Sequence, residues 1–274
     1  MAEVASDPWF PAEFFDFSTA RTSGRALPVA SPQRAAGRDV WRTDAFVATL
    51  AHELRQPLSA MTAAVEVVRL APGTEEAHRA TDLMRRQLRE MSRLVEDLVD
   101  AKRLACGKVT LRRSRVDVGD LMREAVADVG GLVAERRQTL AVSGDGEHLW
   151  VNGDAQRLRQ VLLNLVRNAA NYTPCGGSLW VAVAGTASLI TLRVGDTGRG
   201  IEAQALAHVF DLFSQANPQE GTGLGIGLNI AREIVLLHGG SIEAHSRGAG
   251  TGCEFIVQLP VAAVGDLTYG AAMG

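Results

Sequence analysis

Cysteine is scarce in this chain, long apolar runs are missing, and neither sign of charge dominates. Cys106, Cys175 and Cys253 are the three cysteines in 274 residues. Their odd number and wide spacing exclude a disulfide framework and a cysteine-based metal site, and fit a reducing compartment. No stretch reaches the roughly 18 apolar residues that cross a membrane. The N-terminus lacks the basic and apolar pattern of a signal peptide. The chain therefore reads as soluble and cytoplasmic. Its 28 basic and 31 acidic side chains leave a formal net charge of −3, which argues against direct nucleic-acid binding. Hydrophobic residues make up 46% of the sequence, enough for a core, and the length suits about two domains.

Residues 1–39 hold Pro8, Pro11, Pro28 and Pro32, with WFPAEFFDF as the one apolar cluster. A flexible arm is expected there. From residue 40 onward, Val47, Leu50, Leu54, Leu58, Met61, Val65 and Val68 recur at steps of three and four. Ala71-Pro72-Gly73-Thr74 breaks the pattern, and Met84, Leu88, Met91, Val95 and Leu98 resume it. This predicts a helical hairpin over 40–107 with one apolar seam per helix. Two such hairpins bury their seams as a four-helix bundle, so a homodimer is expected.

After Gly107 the period changes. Short strands are expected at 109–111, 138–143, 148–151, 178–184, 188–194, 241–245 and 253–259. Helices are expected from Asp117 to Arg136, after Asp154, and up to His238. The elements do not alternate strictly, so 108–260 reads as an α+β sandwich, followed by a short tail over 261–274.

The helix after Asp154 carries two faces. Leu158, Val161, Leu162, Leu165 and Val166 form an apolar stripe; Asn164, Asn168 and Asn171 form a row of amides. Such a row is either a solvated face or the wall of a site where amide oxygens meet a hard cation and phosphates. His52 lies off the hairpin seam, on a polar stripe with Arg55, Gln56 and Ser59. Glu53 adjoins it, and Pro57 removes the hydrogen bond to the Glu53 carbonyl. These features make His52 a candidate nucleophile. Glycines 221, 223, 225 and 227 precede a helix and can cradle phosphates with backbone N–H groups. No Gly-Lys-Ser/Thr closes them as in a Walker loop, and no βαβ unit with a trailing acid surrounds them. Asp196, between Gly195, Gly198 and Gly200, is either an ordinary turn residue or an acceptor for an adenine amino group.

Together these stretches resemble a known family. FVATLAHELRQPL, RQVLLNLVRNAANYTP, VGDTGRGI, VFDLFSQ and GTGLGIGL are similar to the H, N, first glycine, F and second glycine boxes of two-component sensor histidine kinases. They occur in the family order, across roughly residues 40–260. The resemblance implies an α+β chain: a dimerising helical hairpin, then an α/β sandwich that binds ATP and Mg²⁺, the fold shared with DNA gyrase and mismatch-repair ATPases. It implies that His52 accepts the γ-phosphoryl group of ATP, with Glu53 holding its other ring N–H. Asn168 would bind Mg²⁺ with support from Asn164, and Asn171 would face the phosphates. Asp196 would read adenine, Gly198 and Gly200 would pass close to the base, and Tyr172 would pack near it. Gly221, Thr222, Gly223, Leu224 and Gly225 would cover the phosphates, and Phe210 and Phe213 would anchor that lid. The phosphoryl group would then pass to an aspartate of a separate response-regulator receiver.

Three positions depart from the family pattern. Gln56 stands where Asn or Thr usually positions water for dephosphorylating the partner. Asn171 stands where Lys is common, and Cys253 where Ser or Thr is common. The rival readings are a nucleotide-sensing dimeric adaptor without strong catalysis, and an ATP-driven clamp like the gyrase relatives. Intact His52, Glu53, Asn168 and Asp196 argue against the adaptor. The H-box hairpin has no place in the clamp.

Overall fold

A computed structural model describes residues 44–144, 149–214 and 224–262. Two long helices come first, α1 (Asp44–Leu70) and α2 (Glu75–Ala105). The break falls where Pro72 and Gly73 demand it. Thr74 then caps α2, its hydroxyl accepting from the Ala77 N–H at 3.2 Å. The helices pack as an antiparallel hairpin, burying Ala64, Ala77 and Ala80. Pro57 is inside α1 and buried.

The α/β unit follows: β1 (Ser114–Asp117), α3 (Val118–Glu135), β2 (Thr139–Gly144), β3 (Trp150–Gly153), α4 (Ala155–Tyr172), β4 (Ser178–Gly185), β5 (Leu189–Asp196), α5 (Ala203–Leu206), α6 (Gly227–Leu237), β6 (Ser241–His245) and β7 (Cys253–Pro260). Five strands form a mixed sheet in the order β2-β4-β5-β7-β6, parallel between β2 and β4 and antiparallel elsewhere. Along β7 the burial alternates, with Cys253, Phe255, Val257 and Leu259 inward. That is the period of a sheet covered on one face. The cover is helical. Val129 of α3, Leu165 of α4 and Ile230 of α6 join Phe255 and Val194 in one core.

One expected strand is misplaced. Residues 109–111 are not in a strand; pairing begins at Ser114, where β1 meets β3 antiparallel, Ser114 opposite Gly153 and Asp117 opposite Trp150. The partner strand β3 is four residues long and fixes where the ladder can start. Residues before it are tied differently: the Arg112 N–H donates to Asp154 Oδ2 at 2.9 Å, and the Arg113 guanidinium donates to the carbonyls of Asn152 and Leu237.

The hairpin leans on the α/β unit. Ala101 and Leu104 of α2 belong to its core, and Leu50, Leu94 and Leu98 pack against it. Polar contacts run beside them. Arg157 of α4 donates to Asp100 Oδ2 of α2 at 2.6 Å, and Gln160 donates to the same oxygen at 2.9 Å.

Candidate functional site

Asp154 sets the phase of α4 by accepting from the Arg157 N–H at 3.1 Å. The stripe of Leu158, Val161, Leu162, Leu165 and Val166 is then wholly buried. The amide row falls on the border of that stripe. Asn164, Asn168 and Asn171 are each half-buried and line a single cleft. Asn164 is also structural, since its amide donates to the Gly227 carbonyl at 2.9 Å. Tyr172 ends the helix on the same cleft, with the Arg199 guanidinium 5.3 Å from its ring centre. Burial raises the Tyr172 hydroxyl pKa, Arg199 lowers it, and Glu53 of α1 raises it.

The floor of the cleft is the end of β5. Asp196 is 3% exposed there. Burial pushes its carboxyl up to about 6, against the stabilising N–H groups of Gly198 and Cys253. The Gly198 N–H donates to Asp196 Oδ1 at 2.7 Å. A side chain at Gly198 would overlap the Tyr172 carbonyl, and one at Gly200 (φ +66°) would overlap the Gly248 carbonyl. The glycine spacing is thus what lets this loop close over the carboxylate. Cys253 pairs with Asp196 across β5 and β7. Burial, with Asp196 and Glu254 nearby, pushes its thiol up to about 12.

The lid side is described in part. Phe210 stacks edge-on against Phe255 at 6.2 Å, and its carbonyl accepts from Asn229. The Phe213 N–H donates to the Gly225 carbonyl at 3.1 Å. Leu224 is buried, and Leu224 and Gly225 line the cleft. Gly221, Thr222 and Gly223 lie outside the described residues.

The remaining wall comes from the hairpin. Glu90, Arg93, Leu94 and Asp97 of α2 line the same cleft as the amide row. His52 lies 18 residues before the end of α1, and Arg93 18 residues after the start of α2. In an antiparallel hairpin these two stand at the same height. His52 is exposed, with the Gln56 amide nitrogen 3.1 Å from its Nε2. Burial pushes the Asp97 carboxyl up to about 6, although Arg93 and Arg167 oppose this.

A buried acid at one end, an amide row in the middle and cations along the wall suit a purine nucleotide with a phosphate tail. Among the described residues, no three His, Cys, Asp or Glu side chains converge to hold a metal. Asn168 offers a single amide oxygen. That would suit a Mg²⁺ ion, which keeps several waters and is held by few protein groups together with substrate phosphates.

Comparison with known proteins identifies the two domains. Residues 42–107 match the family described as His Kinase A (phospho-acceptor) domain, and residues 153–263 match the histidine kinase-, DNA gyrase B- and HSP90-like ATPase family. The chain thus joins a histidine-kinase phospho-acceptor domain to a histidine-kinase-type ATPase domain, the make-up of a sensor kinase core. Sensor protein ChvG of Agrobacterium fabrum is 29% identical over 234 residues, covering 80% of this chain and 39% of ChvG. The adaptive-response sensory kinase SasA of Microcystis aeruginosa is 32% identical over 227 residues, covering 80% and 59%. The chain thus spans under two thirds of the length of either relative. Full-length ShkA, solved in complex with AMPPNP, superposes with a TM-score of 0.59 at 27% identity, covering 79% of this chain and 46% of ShkA. Histidine kinase ThkA, solved in complex with the response regulator TrrA, shares the fold at a TM-score of 0.59 and 21% identity, covering 86% and 69%.

The kinase core also uses residues that sequence reasoning passed over. Gln138, buried just before β2, donates to the carbonyls of Ala170 and Thr173 at 2.9 and 2.7 Å. Arg136 donates to the carbonyls of Ala170 and Asn171 at 3.2 Å. Together they hold the C-terminal turn of α4, and with it Asn171 and Tyr172. His238 accepts the Asp154 N–H on Nε2 at 3.0 Å and so fixes the other end. No motif announces these groups. Arg136 and Gln138 sit in the polar stretch ERRQT, which looks like an ordinary solvated turn.

Proposed function

We propose that this chain transfers the γ-phosphoryl group of ATP to Nε2 of His52, and that His52 then passes it to an aspartate of a separate response-regulator receiver. The observation that carries this reading is the composite cleft: the amide row, Asp196 and Leu224–Gly225 face hairpin residues that stand at the height of His52. Asp196 accepts from the adenine amino group, and Tyr172 packs beside the base. Asn168 is the amide that would hold Mg²⁺, with Asn164 fixing its neighbourhood. When bound, the metal neutralises charge on the transferring phosphoryl group. Nε2 of His52 bonds to the γ-phosphorus as the bond to the β,γ-bridging oxygen breaks, and ADP leaves with that electron pair. Glu53 holds the proton on Nδ1, which keeps the lone pair on Nε2. His52 is exposed, so a receiver domain can reach it afterwards.

Two chains share the work in a homodimer. Leu58 and Val65 of α1 are 49% and 51% exposed, and Leu88 and Val95 of α2 are 55% and 52% exposed. Each pair is one heptad apart, as a seam awaiting a second hairpin would be. Reliance on ATP and three unpaired cysteines fit the cytoplasm. Among the described residues no helix is long and apolar enough to cross a membrane.

Incubation with γ-labelled ATP tests the reading. The label should be acid-labile and base-stable, and His52→Gln should abolish it while leaving ATP binding intact. Label retained by His52→Gln would move the acceptor elsewhere. ATP binding without any label would favour the nucleotide-sensing adaptor.

A further inference from the structure

The cleft wall shared by α2 and α4 carries two guanidinium groups, one from each unit. Arg93 comes from the hairpin and Arg167 from the helix of the amide row, and both line the cleft. Arg167 directly precedes Asn168 and sits on the row of Asn164 and Asn171. It is half-buried, and among the described residues no hydrogen bond or close ion pair engages it. Arg93 lies 3.4 Å from Glu90 and 3.9 Å from Asp97, both on its own helix. Charge-assisted hydrogen bonds measure about 2.7–2.9 Å, so these are loose holds that a better anion can replace.

Two like charges facing one cleft repel each other. Burial first, then Arg93, lowers the Arg167 pKa, while Glu90, Asp97 and Asp128 act to raise it. An anion between the two guanidiniums would relieve that conflict. Arg199 is placed for a different task, being three residues past Asp196 and packed over Tyr172 at the base end. The terminal phosphate, in contrast, must lie between Asn168 and His52, and Arg93 stands at the height of His52.

Resting on the kinase reading above, we propose that Arg93 and Arg167 together clamp the terminal phosphates of ATP. Each unit supplies half of the clamp, so the phosphate site is complete only when the hairpin is docked. The Asp100–Arg157–Gln160 bonds position the two halves. The clamp also supplies the cationic charge that Asn171 does not.

The test uses the full chain with AMPPNP and ADP as probes, and the variants Arg93→Gln, Arg167→Gln and both Arg→Lys changes. Each Gln variant should weaken AMPPNP binding about tenfold, since a hydrogen bond to a charged group contributes about 1.5–3 kcal/mol. ADP binding should change far less, and His52 labelling at saturating ATP should slow about tenfold or more. The Lys variants should recover part of both losses. Equal weakening for AMPPNP and ADP would overturn the clamp, as would unchanged AMPPNP affinity in both Gln variants. A wild-type chain that binds neither nucleotide would instead overturn the kinase reading on which the clamp rests.

Discussion

The side-chain amide of Asn164 donates to the carbonyl oxygen of Gly227 at 2.9 Å, tying the amide row of α4 to the first residue of α6. Glycine-rich residues lead directly into that helix. Removing the tie with Asn164→Ala should cost about 1 kcal/mol of stability, a fall of a few degrees in melting temperature. ADP affinity should also drop several-fold, because the start of α6 would no longer be held against the cleft. Thermal melting and ADP titration check both. Unchanged values would mean that packing of Leu224 and Ile226 alone fixes α6.

If Asp196 meets the adenine as proposed, nucleotide binding should depend on pH. Its folded-state carboxyl, at about 6, lies above the ordinary value of 3.8. The native state therefore holds this proton more tightly than the unfolded chain, and the carboxylate is only half formed near pH 6 and predominates above it. Adenine N–H groups bond a carboxylate better than a neutral acid. Adenosine and ADP affinity should thus fall as pH drops from about 7.5 to about 5, while Asp196→Asn should be weaker but flat over that range. A variant with the wild-type pH profile would assign the titration to another group.

On the proposed reading, Gln56 should shield the nucleophile. Its amide lies 3.1 Å from His52 Nε2, the atom whose lone pair must be free for attack. The bond breaks before transfer, at a cost of about 1 kcal/mol or less at this exposed site. Gln56→Ala should therefore raise the initial rate of His52 labelling by up to about fivefold. Quench-flow labelling with γ-labelled ATP measures this, and a slower variant would show instead that Gln56 supports the reactive tautomer.

Charge placed on the exposed seam should split the proposed dimer. Val65→Glu and Val95→Glu fall at positions 51% and 52% exposed in the single chain, so neither disturbs the hairpin's own packing. Buried between chains, each carboxylate would be unpaired and costly. Sedimentation should show the double variant as a monomer that still binds ADP. A dimeric double variant would place the interface on another surface.

Much of this architecture is legible in the sequence because it depends on neighbours along the chain. The caps Thr74, Asp117 and Asp154 act within three residues, and the period of each helix and strand is written locally. The Asp196 loop is equally readable, since its glycines answer to close approaches that permit no side chain. The unread parts depend on distant partners. The start of β1 is set by the short β3, some forty residues on. Gln138 and Arg136 reach α4 carbonyls more than thirty residues away. Arg93 and Asp97 belong to an amphipathic helix and look like solvated charges until α4 is laid beside them. No spacing rule connects residue 93 with residue 167.

The three cysteines differ in a way that serves measurement. The Cys253 thiol, buried on the cleft floor and pushed to about 12, stays protonated at neutral pH and is a poor target for alkylation. Cys106 and Cys175 are exposed. The first caps the end of α2, and the second follows the last turn of α4. A thiol-reactive dye will therefore attach at one point on the hairpin and one on the α/β unit, with no substitution needed. Energy transfer between a donor and an acceptor dye at these two sites then follows changes in the spacing of the units, with no substitution, as nucleotide is added.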